Sequence, residues 1–173
     1  LAETFSGNLI VSGYHKGVTD FGGITEVSPD NELFLMELDR NSGATNWVTT
    51  AGGIGNDDGG PVAIDSMGNI WQAGTTTGTF SVNGMTHQAV SNADTILVKW
   101  SPSGVAQSVI GFSSSASEIN LPEDMIVTSN DDVVVSGVFL GSMNAGNQNT
   151  LTDRGNGDAY VCLLYTSRAH ETP

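Results

Sequence analysis

Basic residues are scarce in this sequence. Only 5 of its 173 residues are Lys or Arg, against 19 Asp or Glu, so the formal net charge is −14. A strongly acidic surface repels phosphate groups, whose contacts with Lys and Arg supply much of the affinity for nucleic acids. We therefore expect no DNA, RNA or anionic membrane surface among the partners of this protein.

Long apolar runs and paired cysteines are also missing. The longest apolar stretches, such as Val133–Val135, have the length of a strand, whereas a membrane-spanning helix needs about 18 apolar residues or more. We expect no membrane span. Cys162 is the single cysteine, so no intrachain disulfide can form. The first residues, LAETFSG, show neither a signal peptide nor an initiator Met, which predicts that the chain starts inside a longer protein.

The sequence is rich in strand and turn residues. It has 22 glycines and 38% hydrophobic residues, while only 14% of its residues are charged. Val, Ile, Thr and aromatic residues form short runs between clusters of Gly, Asn, Asp and Ser, and this alternation is typical of strands joined by turns. The composition predicts an all-β domain.

One sequence pattern occurs three times along the chain. Its first landmark is a short strand that ends in glycine, found at Gly7–Gly13, Gly68–Gly74 and Asp131–Gly137. Its second landmark is an acidic residue that begins a longer strand, found at Glu32–Leu38, Asp94–Trp100 and Asp158–Leu164. Copies of the first landmark are 61 and 63 residues apart, and copies of the second are 62 and 64 apart. Such constant spacing predicts tandem structural units.

Each unit is predicted to contain four short strands. In the central copy these are Val62–Ile64, Ile70–Ala73, Phe80–Val82 and Ile96–Trp100, and Gly104–Ile110 is predicted to run onward into the next unit. Four-stranded units repeated around an axis form a β-propeller, so we expect a partial propeller of about three antiparallel blades. A β-solenoid is the alternative fold, although its coils are shorter and more regular.

The predicted units cover residues 1–164, with boundaries at about 1–52, 53–115 and 116–164. Residues 165–173 break the pattern and are predicted to be a non-native or disordered tail. Three isolated blades leave open sheet edges, which predicts association or strand addition to another copy. The remaining blades of a full-length chain are the expected intramolecular partners.

The central copy resembles the seven-bladed β-propeller repeat (SBBP) family. The similarity lies in the segments Gly52–Asp58, Ala63–Thr75 and Asp94–Gly104, and it extends more weakly over about residues 8–164. Asp39–Gly43 replaces the family's Ser-Pro-Ser-Gly turn, and Ser113–Glu118 lacks its glycine loop. The resemblance implies a propeller fold and a bacterial protein that is secreted or exposed at the cell surface. It implies no catalytic residues.

Two features of the sequence are candidate binding sites. Asp57 and Asp58 could provide oxygen ligands for Ca²⁺, although Asx residues are also common in solvated turns. Trp47 begins the strand before the glycine loop and could stack on a sugar ring. Trp71 and Trp100 occupy strand positions where the first copy has aliphatic residues, so both are predicted to lie in the core.

No catalytic motif is visible in the sequence. Asp20, Asp94 and Asp158 lie at recurring or turn positions, and no spacing marks two of them as the acid and base of a glycosidase. His15 and His87 are predicted to lie in variable loops, far from any second histidine at metal-binding spacing.

These observations favour a non-catalytic extracellular or cell-surface module that binds glycan or protein or serves as a scaffold, with no cofactor except a candidate Ca²⁺. The alternatives are a carboxylate-dependent hydrolase or lyase and a purely structural spacer.

Overall fold

The computed structural model describes residues 1–113, 119–144 and 150–165, and over these ranges the chain is all-β and antiparallel, without a helix. The predicted all-β class is therefore confirmed. No helix in the described ranges is long and apolar enough to cross a membrane. The strands are β1 Ala2–Glu3, β2 Leu9–Asp20, β3 Thr25–Leu38, β4 Thr45–Ile54, β5 Asp57–Ile64, β6 Ile70–Thr76, β7 Thr79–Val82, β8 Met85–Gln88, β9 Asp94–Trp100, β10 Ala106–Phe112, β11 Asn120–Val127, β12 Val133–Phe139, β13 Ser142–Asn144, β14 Thr150–Thr152 and β15 Asp158–Leu164.

The strands form three main sheets, one for each predicted repeat. The first sheet has the order β1-β2-β3-β4 and continues through β7 and β8, the second has the order β5-β6-β9-β10, and the third has the order β11-β12-β15. Strands β13 and β14 form a separate pair. Apart from the hairpins β7–β8 and β13–β14, the strands of each repeat are therefore neighbours in the order in which the chain makes them. All pairings between these strands are antiparallel, which does not fit the β-solenoid alternative.

The prediction of which four strands form the central sheet was wrong in two places. The predicted strand Phe80–Val82 lies in β7, which pairs with Gly52–Ile54 at the end of β4 in the preceding sheet. The fourth strand of the central sheet is β10, within the stretch that we expected to lead into the next unit. The physical reason is that β6 pairs with β9 over its whole length, which leaves no place for β7 between them.

The hairpin β7–β8 therefore extends the sheet of the preceding repeat. The third repeat has a similar arrangement, because the Asn144 N–H of β13 donates to the Ser113 carbonyl, just after β10, at 2.9 Å. A strand edge that would face solvent is covered in this way by the next repeat. The predicted boundary after residue 52 falls within β4, and the predicted tail lies outside the described residues except for Tyr165.

Tight turns with similar hydrogen bonds join the paired strands at one end of the sheets. They begin at Thr4, Asp39, Asp65, Ser101 and Thr128. In four of them the first residue donates to the carbonyl four residues on and accepts from the N–H three residues on, whereas Asp39 donates to the Ala44 carbonyl and accepts from the Gly43 N–H, one residue further in each case. The residue whose N–H bonds back to the first carbonyl has a positive φ in every turn, which glycine adopts without strain. Asp131 is the one residue other than glycine at this position of the five turns, with φ of 65°.

The second sheet is buried on both faces. Ile70, Ile96, Val98 and Trp100 pack in one cluster with the first sheet, whereas Trp71, Ala73 and Leu97 pack in another with the third sheet. Successive strand residues point to opposite faces, so the continuous apolar run in β9 serves both clusters. The prediction that Trp71 and Trp100 are core residues is confirmed.

Polar side chains also connect neighbouring sheets. The buried Gln72 Nε2 donates to Ser12 Oγ at 2.6 Å and to the Phe34 carbonyl at 3.0 Å, which links the second sheet to the first. The Asp131 carboxylate accepts from the Ser66 N–H at 2.8 Å and from its hydroxyl, which links turns of the third and second sheets.

We expect alanine substitution of Gly104 to destabilise the protein more than the same change at Gly43. Both residues have a positive φ in turns at the same end of the sheets, so each change costs about 1 kcal/mol of backbone strain. A Cβ at Gly104 would lie 2.8 Å from the Trp47 ring, whereas a Cβ at Gly43 meets nothing within 4 Å. Overpacking against Trp47 should add about 1–3 kcal/mol, measurable by urea denaturation. An equal decrease in the free energy of unfolding for the two variants would contradict this packing of Trp47.

Candidate functional site

The two ends of the sheets differ in construction. We call the end that carries the tight turns, at residues 4–8, 39–44, 65–69, 101–105 and 128–132, the turn end. The opposite end, which we call the loop end, carries the described residues 21–24, 55–56, 77–93, 113, 119, 140–144 and 150–157. The connections at this end differ in length from repeat to repeat, whereas four of the five turns share one hydrogen-bond pattern. Variable loops on a constant scaffold are the usual position of binding sites.

Asp57, a candidate calcium ligand, begins β5 at the loop end. Its carboxylate has no solvent exposure, and Oδ2 accepts from the Gly53 N–H at 2.9 Å, while Oδ1 has no partner. Burial raises the pKa of Asp57 to about 6, against the opposing effect of hydrogen bonds from Thr76 and Gly53. The charges of Glu32 and Asp58 raise this pKa further.

Glu32 and His15 lie beside Asp57. A point where Gly52 would carry a Cβ is 2.7 Å from Glu32 Cγ and 2.8 Å from Asp57 Oδ2, so the two acidic side chains are close neighbours. Glu32 Oε2 also lies 3.7 Å from Nε2 of the buried His15. Both ring nitrogens of His15 lack a hydrogen-bond partner. The loop end therefore contains a compact buried group of ionisable side chains.

Asp58 faces a more accessible part of the same end. Its Oδ1 accepts from Asn31 Nδ2 at 2.9 Å, and the Asn31 N–H lies 3.5 Å from Asn56 Oδ1. Tyr14 is 56% exposed and pairs with Leu33, two residues from Asn31. We call Tyr14, Asn31 and Asp58 the polar-aromatic patch. An exposed aromatic ring can stack on the apolar face of a ligand ring, and amide and carboxylate groups on neighbouring strands can bind its hydroxyls.

Sequence reasoning identified Asp58 but missed Tyr14 and Asn31. Their neighbourhood depends on the bulge between His15 and Gly17 and on the packing of β3 against β5, neither of which the sequence pattern shows. A signal was present, since Tyr14 directly follows the glycine that ends the strand motif.

The part of the chain that the structure describes contains no group of three or more His, Cys, Asp or Glu side chains arranged to hold a metal ion. The Asp57 carboxylate is used in part by Gly53, and that of Asp58 by Asn31. Calcium binding by Asp57 and Asp58 stays a prediction, and the geometry adds no third acidic ligand to it.

Trp47, the candidate sugar-stacking residue, is held by contacts within the protein. Its side chain is half-buried, its Nε1 donates to Glu37 Oε2 at 2.6 Å, and its ring packs against Gly104 and the cluster between the first and second sheets. These contacts hold the indole at the turn end and leave only part of it for stacking on a ligand.

The recurring acidic residues organise loops. Asp94 is fully buried and accepts from the Val90 N–H, from the Ser91 N–H and hydroxyl, and from Ser113 Oγ. Burial alone would raise the pKa of Asp94, but these hydrogen bonds and one with His87 outweigh it and lower the pKa. Asp20 accepts from the Gly23 N–H at 2.6 Å, and Asp158 from the Arg154 N–H at 3.1 Å.

The positions predicted for two histidines were wrong. His15 lies in β2 and His87 in β8, because the β2–β3 hairpin and the β7–β8 hairpin extend the first sheet through what the sequence suggested were loops. His87 Nε2 lies 2.9 Å from Asp94 Oδ2. Cys162 is half-buried in β15, and burial raises the pKa of its thiol.

We expect the stability of the protein to fall between about pH 4 and pH 6.5 because of Asp57. The pKa of Asp57 is higher in the folded chain than the ordinary Asp value of 3.8, so its stabilising contribution is complete at low pH and is lost as the pH rises through about 6. Across this range the free energy of unfolding, measured by urea denaturation, should fall by an amount on the order of 2 kcal/mol in wild type, and this fall should be absent in Asp57→Asn.

Asp58→Asn is the control for this experiment, because it removes a neighbouring charge and leaves Asp57 buried. The slope due to Asp57 should persist in that variant. Parallel stability curves for wild type and Asp57→Asn would contradict the burial of a raised-pKa carboxyl at this position.

Neither a protein-family model nor a curated protein matches this chain. The resemblance to a repeat family is therefore carried by the motifs in the sequence alone. The candidate site depends on the geometry of the loop end.

Proposed function

We propose that this chain is a non-catalytic β-propeller module of the SBBP repeat type and that it binds glycans at the loop end. The observation that carries the proposal is the polar-aromatic patch of Tyr14, Asn31 and Asp58, which lies on a well-packed scaffold. Asn31 is held by Asp58 and is close to Asn56, so its amide is already oriented before a ligand arrives. Preorganisation of this kind reduces the entropic cost of binding.

Support for the propeller arrangement comes from three sheets that follow one another along the chain. Each consists of antiparallel strands that are neighbours in chain order apart from the β7–β8 and β13–β14 hairpins, and the second packs between the first and third. In such an arrangement the strand connections on one side share a common surface, which is available for binding. A secreted or cell-surface location belongs to the same proposal and is compatible with the acidic composition.

The Tyr14 ring would stack on the apolar face of a sugar. The Asn31 amide and the Asp58 carboxylate would bind its hydroxyl groups, since each retains a hydrogen-bonding position beyond their mutual contact. Protein binding at the loop end and a purely structural role are the competing functions.

A hydrolase or lyase is the second candidate, and the raised pKa of Asp57 beside Glu32 is the observation that favours it. A general acid with a pKa near 6 and a second carboxylate are what such chemistry requires. The Asp57 side chain has no exposed surface, however, so it has no direct path to a substrate in this structure. Release of reducing sugar from the same polysaccharides, abolished by Asp57→Asn, would favour the enzyme.

The test of glycan binding is thermal unfolding against a panel of soluble polysaccharides. A ligand at about 100 times its Kd stabilises the folded state by about 2.7 kcal/mol, which should raise Tm by about 5–10 °C. Tyr14→Ala should abolish the shift, because it removes the stacking surface. Phe5→Ala is the matched control, since Phe5 is an exposed aromatic residue at the turn end.

A shift that survives in Tyr14→Ala would place binding outside the polar-aromatic patch. The absence of any shift with every polysaccharide would contradict the glycan proposal and favour the structural spacer.

A further inference from the structure

A cavity of about 240 Å³ opens at the turn end between the first and second sheets. Its walls are mainly apolar and include Phe5 and Met67, each 79% exposed, together with Ile64 and Pro102. Among the described residues that line this turn-end cavity, Glu37 is the charged one. The cavity lies at the opposite end of the sheets from the polar-aromatic patch, so glycan binding at the loop end does not use it.

The turns between the second and third sheets are bridged by the chain's own side chains. There the Asp131 carboxylate accepts from the Ser66 N–H at 2.8 Å and from the Ser66 hydroxyl. Phe5 and Gly68 stand at the equivalent turn positions between the first and second sheets, and glycine has no side chain to make such a bridge. The turn-end cavity is the space that this missing bridge leaves beside Phe5.

The central repeat also has a cation of its own at this level. Lys99 is the residue equivalent to Glu37, and its Nζ lies 3.4 Å from Asp65 Oδ2. The same Nζ lies 5.1 Å from the centre of the Trp71 ring. A carboxylate and an aromatic ring of this chain therefore bind a cation in the central repeat.

Glu37 is bound by neutral donors. Its Oε1 accepts from Asn8 Nδ2 and from Asn46 Nδ2 at 3.2 Å, and its Oε2 accepts from Trp47 Nε1 at 2.6 Å. Within the described ranges no Lys, Arg or His forms an ion pair with Glu37. The charge of a half-buried carboxylate thus has no compensating cation in the wall of a mainly apolar cavity.

The course of the strands directs neighbouring chain away from this cavity. Ala2 pairs with Ile10 as Ala63 pairs with Trp71, so β1 is equivalent to the last part of β5. Strand β5 runs from the loop end to the turn end, and a backward continuation of β1 therefore leads toward the loop end. A further repeat beside the first or third sheet would meet a different face, because this cavity lies between the first and second sheets.

We infer that the turn-end cavity binds a small organic cation, a molecule with an apolar body and one ammonium group. The apolar body lies against Phe5 and Met67, and the ammonium group lies beside Glu37, with a ring and a carboxylate at hand as they are for Lys99. A volume of about 240 Å³ is below the roughly 300–1,000 Å³ of pockets for drug-sized ligands, which favours a small molecule. The net charge of −14 attracts cations to the protein.

The experiment is an NMR titration of the isotope-labelled full chain with phenethylammonium. The backbone amides of Met67 and Gly68 and the indole N–H of Trp47, which donates to Glu37, report on the cavity. Their signals should shift to saturation with a Kd on the order of 1 mM. Phenethyl alcohol, the neutral molecule of the same size, should bind at least about tenfold more weakly, and added salt should reduce this difference.

Two variants separate the charge from the apolar walls. Glu37→Gln keeps the size of the side chain and should give the two probes equal affinity. Gly68→Asn should abolish binding of both probes, because Asn tolerates the positive φ of 82° and places a side chain against Phe5. Tyr14→Ala changes an exposed aromatic residue at the loop end and is the control, which should bind like wild type. If Glu37→Gln does not fold, the two probes compared in wild type at low and high salt test the charge.

Four results would overturn the inference. Phenethylammonium could produce no saturable shift at about ten times the expected Kd. The two probes could bind wild type equally well, which would exclude a role for the charge of Glu37. Binding could persist in Gly68→Asn, which would place it outside the cavity. A capped Phe-Lys dipeptide could bind at least about tenfold more tightly than phenethylammonium, which would identify a partner polypeptide as the occupant in place of a small molecule.

Discussion

The packing of the second sheet between two others is the interaction on which the rest of this structure depends. Neither face of that sheet meets solvent over its central strands, because Ile70 and Trp100 point one way while Trp71 and Leu97 point the other. Burial of apolar surface on both faces stabilises strands that have little help from charge or disulfides. Buried Gln72 fits into this core because Ser12 and the Phe34 carbonyl accept both of its N–H groups.

The same packing explains the division of the molecule into two ends. Sheets held face to face fix where each strand begins and stops, so four of the five turns at one end share a single hydrogen-bond pattern. At the other end the connections are free to differ, and the ionisable group around Asp57 and the polar-aromatic patch both lie there. A rigid scaffold thus holds side chains whose burial costs folding free energy, such as Asp57 and His15.

The features that local residue patterns control were predictable from the sequence. Spacing of the Gly13, Gly74 and Gly137 motifs indicated three β units, and alternation placed Trp71 and Trp100 in the core. The sequence pattern did not predict the pairing of Gly52–Ile54 with β7. That contact joins different repeats and depends on which strand edge of the first sheet is left open. The burial of His15 and the closeness of Glu32 to Asp57 were equally hidden, since both result from bulges and close approaches at glycine that no period reveals.

The pairing of β7 with β4 has a consequence for how the chain comes apart. Because one repeat provides a strand to the sheet of its neighbour, neither can open without exposing the other's hydrogen bonds, and the coupling between adjacent repeats includes a shared ladder as well as apolar contact. Tension applied along the chain would load that ladder in shear across several bonds at once. Mechanical rupture would then remove two repeats together, whereas a simple stack of sheets would yield one at a time.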